Sequence, residues 1–159
     1  MRITELFDNG EFVVSAEVGP PKGIHIDGMV EEAKKYLAGV HFVNVTDNQS
    51  SVMRLGSLAT CKVLKDAGLN PIFQLTCRDR NLNATKALLL GLYAEGVREV
   101  LAITGDPIPT AERDEVKNVY QFNSRKLAQY IVSLAGEGRE MPSALSLIHI
   151  SEPTRLGMI

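Results

Sequence analysis

The sequence predicts an α/β fold, the first half of a (β/α)8 barrel, and two observations lead to this prediction. Runs rich in β-branched residues alternate with stretches of helical periodicity, and the runs recur about every 30 residues. Polar residues follow each run. A barrel gathers such strand ends on one rim, whereas an open sheet concentrates ligand contacts at a switch point, so the pattern favours a barrel. Since a barrel needs about 250 residues, the 159 residues hold about four βα units.

The strands are predicted from apolar, β-branched runs that end in a turn residue or a polar cluster. They cover residues 12–16, 40–46, 71–77 and 97–104. Helices with one apolar face follow them, over residues 27–37 with Asp27 as N-cap, over 51–67, before Gly96, and from Ser124 onward. This alternation predicts parallel neighbours joined by right-handed crossovers.

Glu17 directly follows the first predicted strand, and Pro20 and Pro21 close that segment. A proline cannot donate to a sheet ladder and restricts the residue before it, so Glu17 is expected at the strand end, on the barrel rim. Partial burial there would disfavour a charged carboxylate and suit it to general acid or base catalysis. The alternative is a solvated glutamate in a loop.

Three further strand ends carry candidate ligand-binding residues. Gly105 lets a ligand approach the backbone closely, and Asp106 can accept hydrogen bonds from it; the alternative is an ordinary turn. Thr46 and Gln74 are polar residues near the ends of buried strands, where either a ligand or internal side chains would satisfy them.

Two arginines follow the third strand. Arg78 and Arg80 are candidates for binding an anionic substrate group, but Asp79 between them predicts a local ion-pair network with comparable weight.

Composition excludes several classes of partner. Seventeen basic and nineteen acidic residues give a net charge of −2 with no run of like charge, which argues against nucleic acid and membrane surfaces. Cys61 and Cys77 have neither the spacing of a zinc site nor that of a disulfide framework. No dinucleotide-binding glycine loop, phosphate-binding loop or hydrolase nucleophile motif occurs. We therefore expect a soluble, cytoplasmic protein that binds a small molecule and no metal.

Residues 145–159 are expected to be a non-native tail. The stretch LSLIHISEPTR at 145–155 resembles the in-frame translation of a sequencing adapter, and residues 156–159 fit an index and a flanking primer. We therefore assign residues 1–144 to the N-terminal half of a barrel domain and exclude 145–159 from the fold prediction. The alternative is that the apolar run SALSLIHI forms a genuine fifth strand.

Four short motifs together resemble the methylenetetrahydrofolate reductase family. They are Glu17-x-x-Pro20-Pro21, VNVTD at 43–47, QLTC at 74–77 and AITGD at 102–106. The resemblance covers residues 12–135 and is greatest to the branch found in anaerobes and in fusions with homocysteine methyltransferase. It implies a flavoprotein β/α barrel that reduces 5,10-methylenetetrahydrofolate to 5-methyltetrahydrofolate, in one-carbon metabolism and methionine biosynthesis.

The resemblance also implies roles for individual residues. Glu17 matches the general acid of the family, and Asp106 the aspartate that lies beside the flavin and contacts the pterin. Thr46 and Gly105 match flavin contacts. Gln74 and Thr104 take the positions of a histidine and an arginine of the enterobacterial enzyme, so they are assigned to cofactor binding.

The same resemblance implies the cofactors and partners. The cofactor is expected to be FAD rather than FMN, and the electron donor NAD(P)H or a partner subunit. Asp47 stands where the enterobacterial enzyme has a tyrosine. The substrate is a folate, and the complete enzyme is expected to be a homo-oligomer or to bind a partner subunit.

Two other interpretations remain open. A β/α-barrel lyase or aldolase would use Glu17 as base, but would also need a lysine or a metal set at the strand ends, where neither Lys22 nor Lys86 is well placed. Alternatively, the chain is an assembly product without function. Whether the complete protein is a reductase or a lyase, we expect residues 1–159 to be inactive by themselves.

Overall fold

The computed structural model describes residues 1–136 and 146–149. Helices and strands alternate along the chain after a short N-terminal helix. In order they are α1 Ile3–Asp8, β1 Ser15–Val18, α2 Asp27–Leu37, β2 Phe42–Val45, α3 Ser57–Asp66, β3 Pro71–Thr76, α4 Leu82–Ala94, β4 Glu99–Ile103, α5 Ser124–Gly136 and β5 Ser146–His149. None of the helices in these described residues is long and apolar enough to cross a membrane.

The strands form one parallel sheet in which each strand pairs with the next one in the chain, in the order β1-β2-β3-β4-β5. A doubly wound open sheet would reverse direction at a switch point, which this order lacks. The sheet therefore grows in one direction only. The predicted fold, part of a (β/α)8 barrel with its first four βα units, is confirmed.

All four crossover helices cover the same face of the sheet. Val43, Phe73 and Val100 from successive strands are buried in one core, together with side chains from α2, α3, α4 and α5, such as Leu64 and Leu89. Strand side chains point alternately to opposite faces, so this core uses every second residue of each strand. The remaining residues form the concave face, which would be the barrel interior.

The concave face is closed at one end by α1, a helix that was not expected from the sequence. Ile3 and Leu6 of this helix are buried against Phe42, Ile72 and Leu101 of the sheet. These three strand residues lie at or near the beginnings of β2 and β3 and within β4. The carboxyl ends of the strands are consequently left as the accessible part of the concave face.

Several element boundaries differ from the prediction. β1 lies later than residues 12–16, and it includes Glu17 rather than ending before it. α3 begins at Ser57, because a 3-10 turn at Gln49–Ser51 and an extended segment follow β2. Asp27 is the first residue of α2 and not its cap; Ile26 occupies the cap position without a side-chain hydrogen bond. Hydrophobic periodicity predicts where the helices and strands lie, but it does not predict the residues at which they begin and end.

Ser146–His149 forms a fifth strand beside β4, within the segment that the prediction excluded. Parallel pairing uses only backbone N–H and C=O groups, and a short apolar run can supply it whatever its origin. The strand therefore does not decide whether residues 145–159 are native. The assignment of 1–144 and 145–159 to two segments stays a prediction.

The first testable prediction concerns β1, which forms one edge of the sheet. The segment directly before this strand exposes two apolar residues, Phe12, 86% exposed, and Val14, 42% exposed. Open, apolar strand edges pair with other chains. We predict that residues 1–159, expressed by themselves, self-associate, and that Phe12→Lys shifts the population toward monomer in size-exclusion chromatography with light scattering.

The matched control is Val132→Lys, which adds the same charge at an exposed apolar site on α5, away from the β1 edge. Val132→Lys should leave the association unchanged. An equal effect of both substitutions would mean that net charge, and not the strand edge, controls association.

Candidate active site

A cavity of about 530 Å³ lies over the carboxyl ends of the strands. It is lined by residues from β1, β3 and β4 and from the turns that follow β2, β3 and β4. Five of the six predicted site residues line it: Glu17, Thr46, Gln74, Gly105 and Asp106. Parallel strands in sequential order bring these residues together although they are spread over 90 positions of the chain.

Glu17 presents its carboxylate on the concave face of β1. Its Oε2 accepts a hydrogen bond of 3.0 Å from Nδ2 of Asn44, the residue directly opposite on β2. Glu17 is exposed, so the described residues do not provide the partial burial that the sequence analysis expected. Asn44 was not predicted as a site residue, because strand register, and not residue spacing alone, places it beside Glu17.

Thr46 and Gln74 differ in how their polar atoms are satisfied. Thr46 is buried, 2% exposed, and its hydroxyl oxygen has no hydrogen-bond partner among the described residues. The Gln74 side-chain oxygen accepts a hydrogen bond of 3.1 Å from the backbone N–H of Asp47. A buried hydroxyl without a partner is costly, so Thr46 is a place where a bound ligand would gain a hydrogen bond.

Gly105 adopts a φ of +90°, and a Cβ atom built on it would lie 2.4 Å from the Thr76 Cγ2 atom. Both facts exclude a larger residue, because positive φ is strained for L-residues and no real Cβ atom lies so close to a methyl group. The glycine therefore brings the backbone of the β4 end against β3. It also leaves the floor of the cavity without a side chain at this position.

The backbone at Asp106 is fixed from two sides. The hydroxyl of Tyr120 shares its one hydrogen between the carbonyl oxygens of Gly105, at 3.1 Å, and Asp106, at 3.0 Å. Nη1 of Arg78 donates to the Asp106 carbonyl at 3.3 Å. The Asp106 side chain itself is exposed at the cavity, so these contacts hold its backbone while leaving the carboxylate available to a ligand.

Arg78 is part of an internal ion-pair network. Its guanidinium donates two hydrogen bonds of 2.7 Å to the Asp79 carboxylate and one of 3.0 Å to the carbonyl of Asn48. Hydrogen bonding to Asp79 raises the pKa of Arg78, so the guanidinium stays charged. Of the two alternatives for this arginine, the geometry matches the ion-pair network and not a site for a substrate anion.

The buried Asp47 carboxylate and the partly buried Arg80 form a second ion pair. The Asp47 carboxylate contacts both terminal nitrogens of Arg80 and accepts hydrogen bonds from the Ser57 hydroxyl and the Thr76 N–H, both at 3.2 Å. Asp47 is 3% exposed. Removing one partner of a buried pair typically costs about 3 to 5 kcal/mol. Residue spacing does not predict this contact, because it joins residues 33 positions apart in the chain.

Two predicted features lie outside the cavity. Thr104 does not line it; its hydroxyl oxygen accepts a hydrogen bond of 3.0 Å from the backbone N–H of Ser124, at the start of α5. Cys61 is completely buried under α3, and this burial raises the pKa of its thiol. The thiol therefore stays protonated and is not a nucleophile. Whether Thr104 contacts a cofactor stays a prediction.

Comparison with known protein families agrees with this geometry. The sequence model described as methylenetetrahydrofolate reductase matches residues 2–139. The chain belongs to the methylenetetrahydrofolate reductase family. A search of curated proteins finds no match. The family membership confirms the resemblance seen in the sequence motifs, and it identifies the chain as part of an oxidoreductase of folate one-carbon metabolism.

The cavity fits the flavin that this reductase family implies, as judged from the chain's own atoms. The unpartnered Thr46 hydroxyl offers one hydrogen-bonding group. Gly105 lines the cavity with backbone atoms, and its close packing against Thr76 leaves no room for a side chain. Gln74 offers its amide nitrogen, whereas its oxygen is already bonded to Asp47. These features are what a planar heteroaromatic ligand needs: an open surface with a few polar groups at its edge.

The second testable prediction concerns Gly105. In the full-length reductase, Gly105→Ala should lower the free energy of unfolding by about 2 to 5 kcal/mol, from left-handed strain and overpacking together. Gly10→Ala is the matched control, because Gly10 has a φ of +73° with no atom within 4 Å of an added Cβ. It should cost only about 1 to 2 kcal/mol. Urea unfolding measures both.

Thr76→Ser separates the two causes at Gly105, since it removes the Cγ2 methyl group but keeps the hydroxyl. In the Thr76→Ser background, Gly105→Ala should cost only slightly more than Gly10→Ala, because the contact with the Arg78 Cβ atom at 3.3 Å remains. An unchanged cost of Gly105→Ala in that background would show that the close contact with Thr76 is not what requires glycine.

Proposed function

We propose that this protein contributes the acid-bearing half of the active site of a reductase that converts 5,10-methylenetetrahydrofolate to 5-methyltetrahydrofolate with bound FAD. The observation that carries the proposal is that Glu17, held by Asn44, lines the same cavity as Thr46, Gln74 and Gly105–Asp106. Family membership supports the reaction, and the cavity supports the place where it occurs.

The charge of the cavity suits this substrate. Its charged lining residues are Glu17, Asp47, Arg78 and Asp106. Asp47 and Arg78 are paired with Arg80 and Asp79, so Glu17 and Asp106 are the charged lining residues without an ion pair in the described part of the chain. Opening the methylene bridge of the substrate creates a positively charged iminium. Two carboxylates at the cavity favour positive charge that develops there, because opposite charges attract more strongly where water is excluded.

In the proposed reaction, Glu17 holds the proton that the bridging nitrogen receives as the methylene bridge opens. The amide of Asn44 orients the carboxyl group, because its Nδ2 donates to Oε2 and leaves the other oxygen to face the substrate. Glu17 is exposed in the chain itself, so water must be excluded by the ligands and by the remaining wall of the barrel.

The cofactor side would be formed by Thr46, Gln74 and the Gly105 backbone. A bound reduced flavin supplies the hydride that the methylene carbon accepts. We propose FAD rather than FMN, with NAD(P)H or a partner subunit as electron donor, on the strength of the resemblance described above. Two buried thiols fit a reducing, cytoplasmic location. A homo-oligomer or a complex with a partner subunit is the proposed assembly.

The third testable prediction is that Glu17→Gln, in the full-length enzyme, lowers folate reduction by a factor of about 100 or more while flavin binding is kept. The amide preserves the size of the side chain but cannot donate the proton, and removing a positioned acid has an effect of this size. Steady-state folate reduction and the flavin absorbance spectrum are measured on the same sample.

Glu11→Gln is the control for Glu17→Gln, since Glu11 is an exposed glutamate that does not line the cavity. It should leave both measurements unchanged. Near-normal turnover of the Glu17→Gln enzyme would remove Glu17 from its proposed role.

The fourth testable prediction is that Asp106→Asn raises the reduction potential of the bound flavin. Replacing a carboxylate by a neutral amide removes its repulsion of the reduced flavin anion, and the shift should be about 30 to 70 mV. A redox titration against a dye of known potential measures it. An unchanged or lower potential would show that the Asp106 carboxylate is not near the ring.

A further inference from the structure

The orientation of the Gln74 side chain is determined by a backbone group. A backbone N–H can only donate, so the Asp47 N–H must face the amide oxygen of Gln74, and this contact measures 3.1 Å. The Gln74 NH2 group therefore points away from Asp47. Gln74 lines the cavity, and its nitrogen has no hydrogen bond to the described residues. The amide is thus set as a donor toward the cavity.

The position of the Asp47 N–H depends in turn on the buried Asp47 carboxylate. Arg80 contacts both carboxylate oxygens, Ser57 donates to one, and the Thr76 N–H donates to the other. With its oxygens bonded in this way, the side chain of Asp47 cannot rotate toward the cavity without leaving charged and polar groups unpaired. The carboxylate thereby ties the end of β2 to β3, where Gln74 lies.

We propose that Asp47 and Arg80 are positioning residues that hold the Gln74 amide as a hydrogen-bond donor to an acceptor atom of the bound cofactor ring. This inference rests on the proposed function, because it takes the cavity to bind a flavin. Arg80 itself does not line the cavity, so its effect must pass through Asp47 and Gln74. The ring atom that faces Gln74 is therefore an acceptor, such as a carbonyl oxygen or an unprotonated ring nitrogen.

The test measures FAD binding to the full-length apoenzyme by quenching of FAD fluorescence. Gln74→Met keeps the length of the side chain but removes the donor, and it should weaken binding about 3- to 10-fold, as expected for one hydrogen bond. Arg80→Met leaves the Asp47 carboxylate without its countercharge and should weaken binding by a similar factor. Arg80→Lys restores a positive charge and should bind nearly as well as the unmodified enzyme.

The double variant distinguishes positioning from general loss of structure. If Arg80 acts through Gln74, then Arg80→Met in the Gln74→Met background should weaken binding by less than 2-fold further. If Arg80→Met instead acts by a general loss of structure, its fold-change in FAD affinity should multiply with that of Gln74→Met. Lys62→Met is the control, because Lys62 pairs with Asp66 on the outside of α3, and it should leave FAD binding unchanged. Thermal unfolding of each apoenzyme is recorded separately from binding.

Should Arg80→Met fail to fold, Ser57→Ala takes its place in the cycle. It leaves the ion pair and removes a hydroxyl that lies 3.2 Å from the Asp47 carboxylate and 2.9 Å from the Thr46 carbonyl, so the Gln74→Met background shows whether its effect passes through Gln74. The positioning inference is overturned if the fold-changes in FAD affinity multiply in the double variant. It is also overturned if Arg80→Met or Ser57→Ala does not change FAD binding. Both outcomes leave the proposed function intact. If the unmodified enzyme binds no FAD, the proposed function fails, and the inference fails with it.

Discussion

Backbone hydrogen bonding between parallel strands in sequential order is the constraint on which the site depends. It places every strand's carboxyl end at one edge of the sheet, and it aligns Glu17 with Asn44 across β1 and β2. Side chains alternate between the two faces, so a register slip of one residue would turn Glu17 toward the helices. The apolar residues on the helix side prevent that slip, because Val43, Phe73 and Val100 would then face the cavity.

Beyond the carboxyl ends of the strands, hydrogen bonds from polar side chains, and not backbone pairing, connect neighbouring segments. The Asp47 carboxylate joins the end of β2 to β3, and the Arg78 guanidinium joins the turns after β2 and β4. These are charged groups with most of their donors and acceptors used internally, which limits the cost of burying them. The turn after β2 also holds Asn48, Ser50 and Ser51 at positive φ, and strain of this kind persists only where the surroundings enforce it.

The distribution of charge separates the structural groups from those available to a ligand. Four ionised side chains after β2 and β3, Asp47, Arg78, Asp79 and Arg80, neutralise one another. Asp47 and Arg78 line the cavity with their charges paired, whereas Glu17 and Asp106 line it, each on a different strand end, without an ion pair among the described residues. The four paired groups thus support the rim, while the two carboxylates that are far apart in the chain are left available to a ligand.

The sequence by itself determined the number and order of the βα units, since apolar periodicity and turn residues are local properties. It also singled out Glu17, Thr46, Gln74, Gly105 and Asp106 through the motifs that carry the family resemblance, and these five residues line one cavity. Only the tertiary structure decided that Asn44 holds Glu17, that Arg80 binds Asp47, that Thr104 accepts its hydrogen bond from Ser124 at the start of α5, and that α1 closes the concave face. These contacts join residues from 20 to about 100 positions apart, and strand register and helix packing, which no local pattern encodes, bring them together.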